Sequence, residues 1–442
     1  MARPRRRWLI ALSLASTCAI TASACSSTSG GAAAGSQGDG KGTIEFWSMP
    51  FWIGQDDKVQ QLVDQFNASQ SDIKVNLTQL EWKDGREKIK QAMAAGQGPD
   101  VWLMNNGLEL DYLKAGSLAS LDQVGYTSAD LAKFDDLIEV NEYQNKVYGA
   151  PLYFDATVML YRTDVLEKYG YTKPPATWEE LKATATAITQ KSASDGSKIS
   201  GWQFKGMDDH VNAINSTWES FLCQAGGNLT SPDYKKSTQN SEAGKATMDY
   251  MRSFYQDKTS PVGTSALNGF IDGKVAMFSF YQSVIANVEA GGAKTEGKWA
   301  VAPMPKGPES GCSMVGGHSL VANALGQETK AAGTFMKWLA SPERSVQYMD
   351  FHAIFPYDPA KVTPEVKAEY DKKIKGDPNW TAILEQTERN TPDLVLQDRH
   401  GWSTRWEKQK SAIVAGVNGQ NSVDEALSSI DEEVGKALDA GR

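Results

Sequence analysis

From residue 42 onward the chain switches between two hydrophobic periods. Residues 42–47 (GTIEFW) form a short β-type run. Val59, Leu62, Val63 and Phe66 then recur at helical spacing. Residues 73–80 (IKVNLTQL) alternate apolar and polar, as a half-buried strand does. A helical pattern returns over 84–95, and 100–104 (DVWLM) read as a further strand. Strand, helix, strand, helix, strand predicts an α/β domain with a largely parallel sheet. Such sheets take ligands at the carboxyl ends of their strands. Trp47 and Ser48, Glu81 and Trp82, and Asn105 and Asn106 each follow a predicted strand, so they are expected near one mouth.

Gly96-Gln97-Gly98 follows a helix and precedes Pro99 and a strand, the reverse of a phosphate-binding loop. It reads as a helix C-cap and turn. Residues 147–161 are a long β-rich run that contains Pro151. A proline has no N–H for a ladder, so the run is expected to split there. Thr177 with Glu180 three residues later predicts a capping box. A second α/β region runs to Met304, 331–339 and 411–438 are helical by pattern, and no internal repeat is evident.

The first 24 residues read as a secretory leader. Basic residues fill 1–7, an apolar run covers 8–20, and Ala22-Ser23-Ala24 precede Cys25. The apolar run is too short to span a membrane. A Cys after Ser-Ala resembles a bacterial lipobox, which makes Cys25 the lipidated residue. Ala22 stands where that pattern prefers Leu, and Cys18 after Thr17 is the weaker alternative. Arg5-Arg6 ahead of Trp8-Leu9 loosely resembles a twin-Arg signal, which leaves the export route open. Residues 25–41, rich in Gly, Ser and Ala, read as a flexible tether. No later stretch approaches a membrane-spanning length.

Composition narrows the function classes. The 442 residues carry 45 Lys and Arg against 54 Asp and Glu. Without Arg3, Arg5, Arg6 and Arg7 of the leader the balance is 41 to 54. A body that acidic disfavours nucleic acid, whose binding rests on neutralising phosphates. Four scattered Cys exclude a multi-Cys zinc framework. In an exported chain Cys223 and Cys312 are either a disulfide or two buried thiols. The four His fit no HExxH spacing and no Ser sits in a GxSxG elbow. No catalytic residue, metal or cofactor is expected.

The motifs, taken in order, resemble the extracellular solute-binding proteins of bacterial ABC sugar importers related to maltose-binding protein. They are Gly98-Pro99-Asp100-Val101, residues 151–164, and Pro175-Ala176-Thr177-Trp178-Glu179-Glu180-Leu181. Phe270-Ile271-Asp272-Gly273-Lys274-Val275-Ala276-Met277, Ala302-Pro303-Met304-Pro305 and Gly316-Gly317-His318 follow. Residues 335–341 with Glu343, and 419–427, complete the series. The resemblance implies a two-lobed α/β fold of the periplasmic-binding-protein type II, with ligand in the inter-lobe cleft. Carried over, the N-lobe is 42–150 plus 317–354 and the C-lobe is 156–314 plus 358–442. Hinge crossings then fall near 151–155, 315–317 and 354–357.

A sugar site needs aromatic planes for ring faces, and carboxylates or amides for hydroxyls. The resemblance makes Asp155, at the first crossing, the strongest candidate. It adds Trp47 with Ser48, Trp52, Trp218, Trp406 with neighbours Trp402 and Arg405, and the close-approach glycines Gly316 and Gly317. Where the family usually has Gly and then a stacking Trp, this chain has Tyr281 and Ser283, so either Tyr281 supplies the stacking plane or the subsite differs from that of maltose-binding relatives. The implied partners are a neutral mono- or oligosaccharide and the transmembrane subunits of an ABC permease. The implied state is a monomer held outside the membrane by its lipid. A charged ligand on the same fold is the alternative, as is a secreted glycoside hydrolase using Glu81 and Asp155.

Overall fold

The computed structural model describes residues 39–52, 57–205, 213–260, 265–390, 395, 397 and 402–440. The leader with Cys25, and residues 26–38 of the tether, lie outside the described residues.

Among the described residues ten strands appear in chain order: β1 (Gly42–Ser48), β2 (Ile73–Gln79), β3 (Val101–Asn105), β4 (Leu118–Ala119), β5 (Glu142–Tyr143), β6 (Lys146–Val147), β7 (Ala150–Arg162), β8 (Met277–Tyr281), β9 (Trp299–Ala302) and β10 (Val315–Asn323). The main sheet runs β2-β1-β3-β10-β7-β8, with β4 on β10 and β9 on β7. β2, β1 and β3 are parallel, as the alternating helices require, while β10 joins β3 antiparallel. The helices between the parallel strands, Lys58–Ser69 and Gly85–Ala94, match the sequence pattern. Val59, Val63 and Phe66 form the buried stripe of the first.

β7 is the long central element. Its first half, 150–156, pairs with β10, and its second half pairs with β8 and β9. Nearly every residue is buried on both faces, which is why the sequence reads as an unbroken apolar run. The split expected at Pro151 does not occur. Pro151 is the second residue of the strand, and the ladder shifts register between His318 and Ser319 directly opposite. That irregularity accommodates a residue with no N–H to donate. A third pass of the chain reaches the same place, where Ile354 bridges Phe154.

Thr177 caps the helix Trp178–Ser194 by accepting from the Glu180 amide. The reciprocal half of the predicted box shifts by one residue, because the Glu180 carboxylate accepts from the amide of Ala176 instead. The stretch 411–438 is two helices, Trp402–Val417 and Val423–Ala440, which separate at Gly419 with φ +82°. They pack closely: a Cβ on Gly416 would come within 2.7 Å of Ala426. Cys223 and Cys312 are joined as a disulfide with Cα atoms 6.2 Å apart, which resolves the two sequence alternatives.

Candidate functional site

Register places five residues on one face where the strands meet. Gly316 pairs with Asp155, and His318 pairs with Tyr153 on one side and Asn105 on the other. Directly paired side chains share a face, as do residues two apart along a strand. Gly317, between the two β10 residues, has φ +104°, and a Cβ there would lie 2.4 Å from the Tyr153 carbonyl. Only glycine fits that contact and conformation.

The turn after β2 closes one side. Trp82 donates its indole N–H to Pro50 O at 3.0 Å and leans on the His318 ring, centroids 4.8 Å apart. One helical turn on, the Arg86 guanidinium sits 5.3 Å over the Trp82 ring and donates to Asn105 Oδ1 at 2.9 Å. Burial draws the Arg86 guanidinium down to about 10 against the opposing pull of Glu109. Burial in turn raises the Glu109 carboxyl, and Arg86 offsets part of that. Behind them is a small cavity lined by Arg86, Asn105, Glu109, Trp102, Met104 and Tyr112.

The other side comes from β7 and β8. Asp155 is 5% exposed and its Oδ1 has no hydrogen-bond partner among the described residues. Burial pushes its carboxyl up to about 7, and bonds from the Ser283 hydroxyl and amide only partly offset this. Tyr281 lies against Gly316, and its hydroxyl shares a 2.8 Å bond with Ser216. Burial holds that phenol well above its ordinary value. Gln282 spans the junction: its Oε1 accepts from Ala156 N and its Nε2 donates to Phe154 O.

Of the sequence candidates, Trp82, Asn105, Asp155, Tyr281 and Gly316 come together here, with Gly317 as the backbone turn between Gly316 and His318. Others are placed differently. Ser48 is fully buried and donates to the adjacent Met49 carbonyl. Trp47, in β1, is half-buried and packs on the apolar group that includes Met49, Ile89 and Trp102, against which Trp82 also packs. Trp52 is a core residue, stacked on Phe351 at 4.4 Å. Asn106 spends both ends of its amide internally. It donates to Tyr153 O and Gly316 O and accepts from the Ser319 hydroxyl, so it ties the strands together.

Trp218 is fully buried with its N–H on Gln239 Oε1 at 2.7 Å. Arg405 is equally buried, 3.1 Å from Glu219 Oε1 and from Gln409 Oε1. It is an internal counter-ion to Glu219 and not the ligand contact that its place beside Trp406 suggested. Trp406 is 8% exposed and bonded to Glu219. The Trp402 side chain lies outside the described residues. Glu81 is exposed on the turn, and its backbone carbonyl accepts from Gly85.

Sequence reasoning missed Arg86, Glu109 and His318. Arg86 had a legible signal, as a cation in the first turn of the predicted helix directly after Glu81 and Trp82. His318 had a weaker one, two residues after Gly316 on a strand. Together the site offers aromatic planes, a buried carboxylate with an open oxygen, and a cation whose charge Glu109 balances. That chemistry suits a polar ligand of small net charge. Among the described residues no group of three or more His, Cys, Asp or Glu could hold a metal.

Residues 61–382 match a family described as bacterial extracellular solute-binding protein. A probable ABC transporter-binding protein of Deinococcus radiodurans is 28% identical over 48% of this chain and 51% of its own length, so the chain spans about half of that relative. A maltooligosaccharide ABC transporter solute-binding lipoprotein of Streptococcus pneumoniae is 24% identical over 80% of each chain. Among solved structures, the GacH receptor of Streptomyces glaucescens, studied with acarbose, superposes with a TM-score of 0.76 at 22% identity over 90% of this chain and 99% of that one. A solute-binding protein of Thermotoga lettingae, bound with tagatose, gives 0.75 at 22% identity with the same coverage. At these identities the structures establish the fold, which is the two-lobed α/β architecture.

Proposed function

We propose that this chain, which belongs to the bacterial extracellular solute-binding protein family, is a non-catalytic receptor for a neutral mono- or oligosaccharide. The observation that carries the reading is the face shared by Asp155, Gly316 and His318 with Trp82 beside it. An open carboxylate oxygen next to an aromatic plane is what a sugar ring with paired hydroxyls requires. The names of the pneumococcal relative and of the acarbose- and tagatose-binding neighbours support the ligand class.

In this reading the lobes are 42–150 plus 317–354 and 156–314 plus 358–442, hinged where β7, β10 and the Ile354 segment pass together. Ligand bridges the lobes and shifts the population toward a closed form. That closed form delivers the sugar to an ABC permease, and Cys25 carries the lipid that keeps the receptor at the outer face of the membrane. No helix among the described residues is long and apolar enough to cross a membrane.

A thermal-shift screen of residues 41–442 against neutral saccharides, with sugar phosphates and short peptides as contrasts, tests the proposal. A ligand at 100 times its Kd adds about 2.7 kcal/mol, a shift of several degrees. A saccharide that raises the melt and is recovered unchanged supports a receptor. A shift from phosphates or peptides alone overturns the ligand class, and a cleaved saccharide overturns the non-catalytic reading.

A further inference from the structure

The Tyr153 hydroxyl has one proton and two close neighbours. It lies 2.6 Å from the Phe51 carbonyl oxygen and 2.7 Å from His318 Nδ1. Two oxygens that close repel unless a proton lies between them, so the phenol donates to Phe51. The hydroxyl oxygen then meets Nδ1 as an acceptor, and Nδ1 must bring its own hydrogen. A neutral imidazole carries a single N–H, so Nε2 is left with a bare lone pair. No bond from the described residues reaches Nε2, the ring is half-buried, and register puts His318 on the face it shares with Gly316 and Asp155.

We infer that His318 is a specificity-determining residue, locked by Tyr153 as the Nδ1–H tautomer so that Nε2 accepts a hydrogen bond from a hydroxyl of the ligand. A phosphate or carboxylate oxygen would set lone pair against lone pair there, so the same atom discriminates against acceptor-only groups. Two features keep the ring neutral and the phenol protonated. Burial and the nearby Arg86 charge push His318 down to about 3. Burial and Asp155 hold Tyr153 well above its ordinary value. A hydroxyl that donates to Nε2 keeps its oxygen lone pairs for a further donor, which a protonated amine does not.

The tautomer stands independently of the ligand; only the contact with a hydroxyl rests on the saccharide reading. The chain has four His, so uniform 15N-histidine labelling with long-range 1H–15N spectra resolves each ring, and His318→Asn assigns this one by loss of its signals. The expected result is an Nδ1–H pattern that does not change between about pH 5 and 8. An Nε2–H pattern, or titration in that range, overturns the inference.

Maltotriose is then added to the labelled protein. If it raises the melt, the Nε2 resonance should move while the Nδ1 resonance stays. His318→Asn, which keeps an N–H for Tyr153, should bind roughly three- to tenfold more weakly with an unchanged urea midpoint. Binding that leaves Nε2 unmoved overturns the ligand contact. If maltotriose does not bind, the same readout is taken with whichever saccharide of the thermal-shift panel raises the melt; if none does, the saccharide reading falls and the ligand-free spectra still decide the tautomer.

Discussion

Gly316 and Tyr281 are a matched pair: a Cβ on Gly316 would come 2.8 Å from Cε1 of the tyrosine ring. The missing side chain is what lets the ring lie across β10 beside Asp155. An alanine at 316 has an ordinary backbone conformation to occupy, since Gly316 is not among the positive-φ glycines. The conflict is therefore with the ring and not with the fold. Gly316→Ala should weaken saccharide binding about tenfold or more, by calorimetry, and lower the urea midpoint only slightly. An unchanged affinity would show that the position of Tyr281 is irrelevant to the ligand.

Asp155 opposes stability to function. Its carboxyl sits at about 7 in the folded protein because burial disfavours the charged form. An unfolded aspartate titrates near 3.9. Between these values the folded state holds the extra proton, so stability is greatest below about pH 4 and declines as pH rises toward 7. Asp155→Asn removes that decline. The variant should match the parent near pH 4 and be more stable above pH 7, by at most about 4 kcal/mol. It should also bind saccharide more weakly, because a charged acceptor is replaced by a neutral one. Urea midpoints across pH and calorimetry at neutral pH check the two halves separately.

How much of this was legible beforehand follows from the range of each signal. The first three strands and two helices are local patterns, and they appear within a residue or two of where the sequence puts them. Asp155 stood out as a lone acid in an apolar run. Trp218, Arg405 and Trp52 misled because a motif position says which element carries a residue and not which way it points. Trp218 faces Gln239, Arg405 faces Glu219, and Trp52 faces Phe351, and these partners lie 21, 186 and 299 positions away. Pro151 misled for the complementary reason. The irregularity that tolerates it is on β10, more than 160 residues downstream, so no window around the proline could reveal it.

Glu219 and Arg405 form an ion pair with both side chains fully buried. Burial acts against each charge, raising the Glu219 carboxyl and lowering the Arg405 guanidinium, while each partner pulls the other back. Gln409, Asn215 and Gln239 surround them with further hydrogen bonds. Removing one member leaves the other charge buried and uncompensated, so Glu219→Ala should cost about 3–5 kcal/mol in urea unfolding. Replacing both, with Glu219→Leu and Arg405→Met, should cost far less than the sum of the single changes. Additive losses would mean that the two residues stabilise the fold independently.

The Cys223–Cys312 bond fixes the end of the helix Ala213–Gln224 to the segment that leads into β10. The helix carries Ser216, which holds the Tyr281 hydroxyl, and β10 carries Gly316, against which that ring rests. Gln224 reinforces the junction by donating to the Cys312 carbonyl at 2.9 Å. With the cysteines 89 positions apart, loop-closure entropy assigns the bond roughly 4.6 kcal/mol, on the chain-entropy account. The doubly substituted Cys223→Ser, Cys312→Ser protein should unfold at a clearly lower urea concentration than the oxidised parent, and reducing the parent should give the same midpoint. Because one end of the bond leads into the strand that frames the site, the reduced protein should also bind saccharide more weakly at a urea-free pH where both forms are fully folded. Equal affinity in the two forms would confine the disulfide to holding the fold together.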